Sequence, residues 1–351
     1  MIADVIAVVL LLAVTAYACA GGTDYGAGFW DLTAGGTERG ARPRWLIDHA
    51  MAPVWEVNNV WLVFVLVIMW TGFPTLFQTV FTAMWLPLAL AAVGLVLRGA
   101  GFALRKPLRR IAGRRLYGAV FAFSSLLTPF FLGAAVGGVA SGRAVPGTEA
   151  SAHAWSNPTS LLFGLIAIVM TAFLGAVFLA ADAVRFDAPD LVGYFRRRAL
   201  AGVVALAVLA AVMLTVTRSD APHVWHGLTH GAGLGLVILA GVCSVATAWL
   251  LLCRSAAWPR ITAVGMVAAA VLAWGAAQRP YLIPTSLTVA EGAGSAGSLR
   301  WLGLVTLVAV VLICPAVAFL YWLDTHGELE PLSDADLRGT EPADDNPTGH
   351  D

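Results

Sequence analysis

Three ionisable residues stand out because of the apolar sequence around them. Asp24 follows an apolar run in Gly21-Gly22-Thr23-Asp24-Tyr25-Gly26-Ala27-Gly28. Glu56 opens a second run in Trp55-Glu56-Val57-Asn58-Asn59-Val60-Trp61-Leu62, and Arg98 ends a third in Leu97-Arg98-Gly99-Ala100-Gly101-Phe102. A charge at the centre of a bilayer costs at least about 2.5–3.5 kcal/mol unless it is paired or hydrated. Glu56 sits between Trp55 and Trp61, and burial among such side chains favours the protonated form of a carboxyl group. A carboxyl that binds and releases a proton near neutrality suits a proton relay. Anchoring of helix ends at the membrane surface is the other reading for all three, and it weighs most on Arg98, which precedes a basic loop. The three lie at same-side ends of neighbouring runs and are expected to converge on one polar cluster.

A second group is His223, His226 and His230 in Pro-His-Val-Trp-His-Gly-Leu-Thr-His-Gly. His226 and His230 are four apart, which puts them on one helix face, and imidazoles so placed can bind a metal ion or ligate a haem. A hydrated surface patch is the plainer reading, because no carboxylate or Cys stands nearby in sequence to complete a site. His49, His153, His326 and His350 fall in loops or the tail. Cys19, Cys243, Cys253 and Cys314 each lie in or beside an apolar run without a Cys-x-x-Cys pair, so they read as small buried hydrophobes. Phosphate-binding loops, nucleophile triads and nucleic-acid signatures are absent from the sequence.

The elements that must position these residues are membrane helices. Of the 351 residues 59% are apolar and only 12% charged, about half the share of charge in a soluble domain. Runs long enough to cross about 30 Å of hydrocarbon, which takes about 20 residues, fall at 2–20, 59–77, 80–97, 116–140, 159–181, 199–217, 228–252, 261–277 and 301–323. A single helix from Val60 to Leu97 would be about 57 Å long at 1.5 Å per residue, so a hairpin turn is expected at Pro74 and Phe77-Gln78-Thr79. The first run lacks the basic flank and cleavage site of a signal peptide and is expected to stay as a span. Loops after alternate runs, with the C-terminal tail, hold 17 of the 21 basic residues, and the opposite side holds Arg143, Arg218, Arg279 and Arg300. Basic loops stay in the cytoplasm, so nine spans with the N-terminus outside and the C-terminus inside are expected. Residues 1–323 form the transmembrane domain, and 324–351, with nine Asp or Glu, read as an acidic, unstructured tail. Arginine outnumbers lysine 20 to 1, a bias of GC-rich genomes.

The motifs resemble subunit II of the bacterial cytochrome bd quinol oxidases. The family's Asp-Gly-Phe-Asp-x-Gly-x-Gly is matched in its second half by Asp24-Tyr25-Gly26-Ala27-Gly28, with Gly21 in place of the first Asp. Its Pro-x-Trp-Asp-Gly-Asn-x-x-Trp-Leu is matched by Pro53 through Leu62, with Glu56 for Asp and Val57 for Gly. Phe73-Pro74, Arg98-Gly99-Ala100-Gly101-Phe102-Ala103-Leu104-Arg105, Pro280-Tyr281-Leu282-Ile283-Pro284, Ser286-Leu287-Thr288 with Glu291, the Gly175-Ala176 step and the basic run Arg196-Arg197-Arg198 follow the family in order.

The resemblance implies an all-α polytopic fold of about nine transmembrane helices, as two four-helix bundles plus a peripheral helix. It implies a non-haem subunit of the bacterial cytoplasmic membrane, paired with a subunit I that carries two b-type haems, one d-type haem and the quinol site. Small accessory subunits and a structural quinone are compatible with it. The complex would oxidise menaquinol or ubiquinol, reduce dioxygen to water and draw protons from the cytoplasm. In that setting Glu56 and Asp24 belong to the proton path, while Arg98, Trp55, Asn58 and Trp61 support the haem site and the subunit interface. Partners would be subunit I, quinol and membrane lipid, with no nucleic acid and no metal held by this chain. A secondary transporter is the alternative. It would need a substrate site at mid-membrane and internal repeats, and the sequence offers neither.

Overall fold

The computed structural model describes residues 1–36, 40–50, 55–105, 111–149, 151–253 and 258–325, with backbone alone for 55–58, 102–105, 111–117, 313–314, 317–318 and 320–325. Its helices are α1 (Ile2–Thr33), α2 (Ala41–Ala50), α3 (Trp55–Gly72), α4 (Pro74–Ala83), α5 (Trp85–Arg105), α6 (Ile111–Ala140) and α7 (Pro158–Arg185). They continue as α8 (Pro189–Asp220), α9 (Pro222–Thr229), α10 (Gly231–Leu252), α11 (Trp258–Gln278), α12 (Val289–Gly292) and α13 (Ala296–Thr325). Residues 1–299 make one unit and those from Arg300 a second, which carries most of α13. The acidic tail lies outside the described residues.

The apolar runs are helical, three of them divided between two helices, but only six helices among the described residues are long and apolar enough to cross a membrane alone: α1, α6, α7, α8, α10 and α11. Trp85–Gly101 and Ala296–Leu312 are shorter apolar stretches, and α3 with α4 forms a pair bent by 117°. The break falls at Pro74, the first of the positions expected for a hairpin turn, while residues 77–79 are helical. Pro74 has no N–H to continue α3 and restricts the residue before it, so Phe73 leaves the helical region (φ −137°, ψ 66°) and Pro74 starts a new helix. The chain therefore reaches α5 through ten further helical residues. The run at 228–252 is divided too: His230 is extended (φ −137°, ψ 157°) between α9 and α10.

Local sequence sets the helix starts. Pro opens α4, α7, α8 and α9, where its missing N–H costs nothing. Asn157 caps α7 by accepting the Ser160 N–H at 2.9 Å. The expected loop before α13 is itself folded: strands β1 (Tyr281–Ile283) and β2 (Leu287–Thr288) pair antiparallel and lead into α12. Thr288 and Glu291 form a reciprocal capping box, and the Thr288 N–H and hydroxyl hold the exposed Glu291 carboxyl below its usual range.

Helix α1 is the hub of the first unit and packs on α3, α6, α7 and α11. Its tightest seam is with α7, where Gly26 meets Gly175 backbone to backbone. A Cβ on Gly175 would lie 2.5 Å from the Gly26 carbonyl carbon, and one on Gly26 would run into the Thr171 carbonyl oxygen. In a bilayer, where apolar surfaces are equally at home in lipid, such small-residue contacts drive helix pairing by close packing. The Trp30 indole N–H adds a bond to the Ala172 carbonyl at 2.8 Å. Away from the seams the surface is apolar: Val204 and Val208 of α8 and Val242, Val245 and Trp249 of α10 are exposed, as lipid-facing or subunit-facing helices require.

The seam makes a prediction. Gly175→Ala should weaken the chain by about 1–3 kcal/mol, the range for overpacking a filled site. Gly241→Ala, where a Cβ meets open space, should be harmless. Thermal unfolding of the two purified variants checks the difference.

Candidate functional site: a buried ion pair between three helices

Among the described residues Arg98 is the largest fully enclosed side chain, at 1% exposure. Because α5 continues to Arg105 and α1 to Thr33, neither Arg98 nor Asp24 ends its helix as the sequence suggested. No proline interrupts Gly21–Gly28, and of the glycines that weaken a helix in water Gly22 and Gly26 are held here by α7 and Gly28 by Ser125 of α6.

The guanidinium grips Asp24 in a fork. Nε donates to Oδ2 at 3.1 Å and Nη2 to Oδ1 at 2.7 Å, while Nη2 also donates to the Asp24 backbone carbonyl at 2.9 Å. Nη1 donates to the Ser125 hydroxyl of α6, which passes its own proton to the Phe121 carbonyl at 2.8 Å. The rings of Phe121 and Tyr25 lie over the guanidinium carbon at 4.3 and 4.9 Å. The Tyr25 hydroxyl in turn meets that of Tyr17 at 3.0 Å. Gly28 is the remaining wall, since a Cβ there would lie 2.9 Å from Nη1 and collide with Ser125. Bidentate geometry with further donors and acceptors satisfied is what makes a charge pair tolerable in a low dielectric.

The same end of the unit carries two more pairs. Arg44 of α2 donates to Asp31 at 3.0 Å and to the Gly35 and Gly36 carbonyls, closing the C-terminal end of α1. Arg260 of α11 bonds Asp182 of α7 at 2.5 Å and the Phe178 carbonyl at 3.0 Å. At the opposite end, Arg143 bonds Asp220, which also accepts from the Thr159 N–H. Asp220 raises the affinity of Arg143 for its proton further. These arginines find their carboxylates within the chain.

Of the residues singled out in the sequence, Asp24 and Arg98 meet. Trp55, Glu56 and Asn58 open α3, but their side chains lie outside the described residues. Trp61 packs edge-on to Phe64 with ring centroids 6.4 Å apart. His223 faces Tyr281 and the Gln278 carbonyl, apart from the ion pair, while His226 and His230 stack on each other. Among the described residues no three His, Cys, Asp or Glu side chains are grouped to hold a metal ion. Cys19, Cys243 and Cys253 are free thiols. Sequence reasoning missed Ser125, Phe121 and Tyr17. The adjacent Ser124 and Ser125 inside an apolar run were the available signal. Asp182 and Arg260 flank their runs as Asp24 and Arg98 do, and the same argument would have found them.

An apolar cavity of about 460 Å³ opens beside α1, α3, α4, α6 and α11. Leu11, Val14, Leu66, Val80 and Leu132 are among its walls, Asp4, Gln278 and Arg279 lie at one end, and Tyr17 lies among its lining residues.

The family model of cytochrome bd terminal oxidase subunit II matches residues 2–324. Subunit 2 of cytochrome bd-I ubiquinol oxidase from Escherichia coli (strain K12) is 24% identical over 348 residues, covering 87% of this chain and 89% of that protein. A Bacillus subtilis (strain 168) protein, whose name assigns it provisionally to subunit II of a cytochrome bd menaquinol oxidase, is 25% identical over 328 residues, 87% of this chain and 90% of its own. The bd oxidase structure from Geobacillus thermodenitrificans superposes with a TM-score of 0.78 at 24% identity, over 92% of this chain and 98% of the matched one.

The fork makes the next prediction. Asp24→Ala leaves an uncompensated buried guanidinium and should cost about 3–5 kcal/mol, whereas replacing both partners by apolar residues, as in Asp24→Leu with Arg98→Met, should cost much less. Thermal unfolding of single and double variants tests this. A double variant no better than Asp24→Ala would refute it.

Proposed function

Because the chain belongs to the cytochrome bd terminal oxidase subunit II family, we propose that its Arg98–Asp24 fork fixes α1, α5 and α6 as the frame beside which Glu56 hands protons toward the partner subunit. The complex is a membrane quinol oxidase. This subunit is not catalytic alone; it works beside subunit I as a multi-pass protein of the inner membrane. A secondary transporter is not favoured.

The observation that carries the reading is the enclosed fork itself. A bidentate pair with a third bond to α6 resists rotation of α1 against α5, and a relay needs its donor and acceptor positions held to within hydrogen-bond reach. Asp24 has both carboxylate oxygens engaged by Arg98, which suits it to positioning rather than to carrying protons. Glu56 begins α3, which packs on α1, and is the better candidate carrier. Trp55, Asn58 and Trp61 belong to the same opening turns of α3, the part of the chain assigned here to supporting the interface with subunit I.

In the finer reading, subunit I holds two b-type haems and a d-type haem that reduce dioxygen, and this chain lends protons and packing. The helix pairs α1, α3, α5 and α6, and α7, α8, α10 and α11, fit two four-helix bundles, with α13 as the additional helix. The apolar cavity suits the tail of a structural quinone, since its volume lies within the roughly 300–1,000 Å³ of small-molecule sites. Relatives carry both menaquinol and ubiquinol in their names, and either fits the complex.

Two experiments test the proposal. Glu56→Gln keeps the shape but carries no proton, so quinol-driven oxygen uptake per haem should fall at least tenfold with haem content unchanged, while Glu56→Asp should retain most activity. Wild-type rates for the Gln variant from pH 6 to 8 would rule out an obligatory carrier. The orientation, N-terminus out and C-terminus in, rests on the 17-to-4 distribution of basic residues. In a background without native cysteines, an impermeant thiol reagent on intact cells should label Glu149→Cys and not Arg197→Cys.

A further inference from the structure

The break between α9 and α10 sets two exposed imidazoles face to face. His226 and His230 stack with ring centroids 4.2 Å apart and planes 11° from parallel. The Thr229 hydroxyl donates to the Trp225 carbonyl at 2.8 Å, so its proton is committed there. His230 Nδ1 lies 3.0 Å from both the Thr229 hydroxyl and the His226 carbonyl; with the hydroxyl proton on the Trp225 carbonyl, the His226 carbonyl, which can only accept, favours the neutral tautomer protonated at Nδ1. The Nε2 lone pair of His230 is therefore left available. Metal-binding histidines are oriented in this manner, donating the other ring N–H to a backbone carbonyl.

We propose that His226 and His230 form a two-imidazole site for a divalent transition ion, with water completing the coordination. Imidazole ligands favour ions late in the divalent series, with Cu2+ ahead of Zn2+. Both rings are exposed, so they can splay from the parallel stack to converge on one ion without disturbing packing. His223 is excluded, being turned to the Gln278 carbonyl and the Tyr281 ring. The ion would bridge the end of α9 and the extended residue before α10, clasping a joint where Gly231 takes a left-handed conformation (φ 59°).

The test is titration of CuCl2 into the purified, chelator-treated oxidase complex, followed by electron paramagnetic resonance. One equivalent should give a Cu2+ spectrum with hyperfine coupling to two nitrogens, displaced by excess ZnCl2. His226→Gln and His230→Gln should each weaken binding at least tenfold and leave at most one of these nitrogens coupled, while His223→Gln changes nothing. Unaltered haem spectra show that each variant still assembles. A two-nitrogen spectrum that survives either substitution, or a single-nitrogen spectrum in the wild type, would overturn the proposal.

Discussion

A guanidinium enclosed by protein inside a membrane has five N–H donors and a charge that no lipid can answer. At Arg98 the answer comes from two other helices: a carboxylate and a carbonyl from α1, and a hydroxyl from α6. Each acceptor must arrive at the correct height and rotation. The register of α1 against α5 and α6 is thereby specified by one side chain. Hydrophobic contact alone would leave it loose, because sliding two apolar helices past each other in lipid changes little.

The glycines are the other side of this constraint. Gly28 leaves room for the guanidinium, and two residues before it, on another face, Gly26 presses against Gly175. Helix α1 is thus clamped on one face by charge and on another by backbone contact. This is why Asp24-Tyr25-Gly26-Ala27-Gly28 reads as a motif: Asp24, Tyr25 and Gly28 surround the Arg98 guanidinium, and Gly26 meets Gly175.

Much of this was legible in the sequence. The helices announce themselves through composition, and Asp24 and Arg98 stood out as charges in apolar surroundings that needed partners. Their exact depth did not, because hydropathy fades at Gly21–Gly28 although the helix runs on to Thr33. The bend at Phe73 was foreshadowed by Pro74, but a proline ends one helix without saying that it starts another. The contributions of Ser125 and Phe121 depend on how α6 is rotated, which no one-dimensional pattern records.

The span between the partners of the fork also has a consequence for biogenesis. Asp24 leaves the ribosome 74 residues ahead of Arg98, a delay of roughly 4 to 15 s at about 5–20 residues per second. During that interval α1 must sit at the translocon or in lipid with a carboxyl group that has no cation. The arrival of α5 then supplies the missing cation as the pair forms. Insertion of the first helix is in this sense provisional, and a segment made several seconds later makes it permanent.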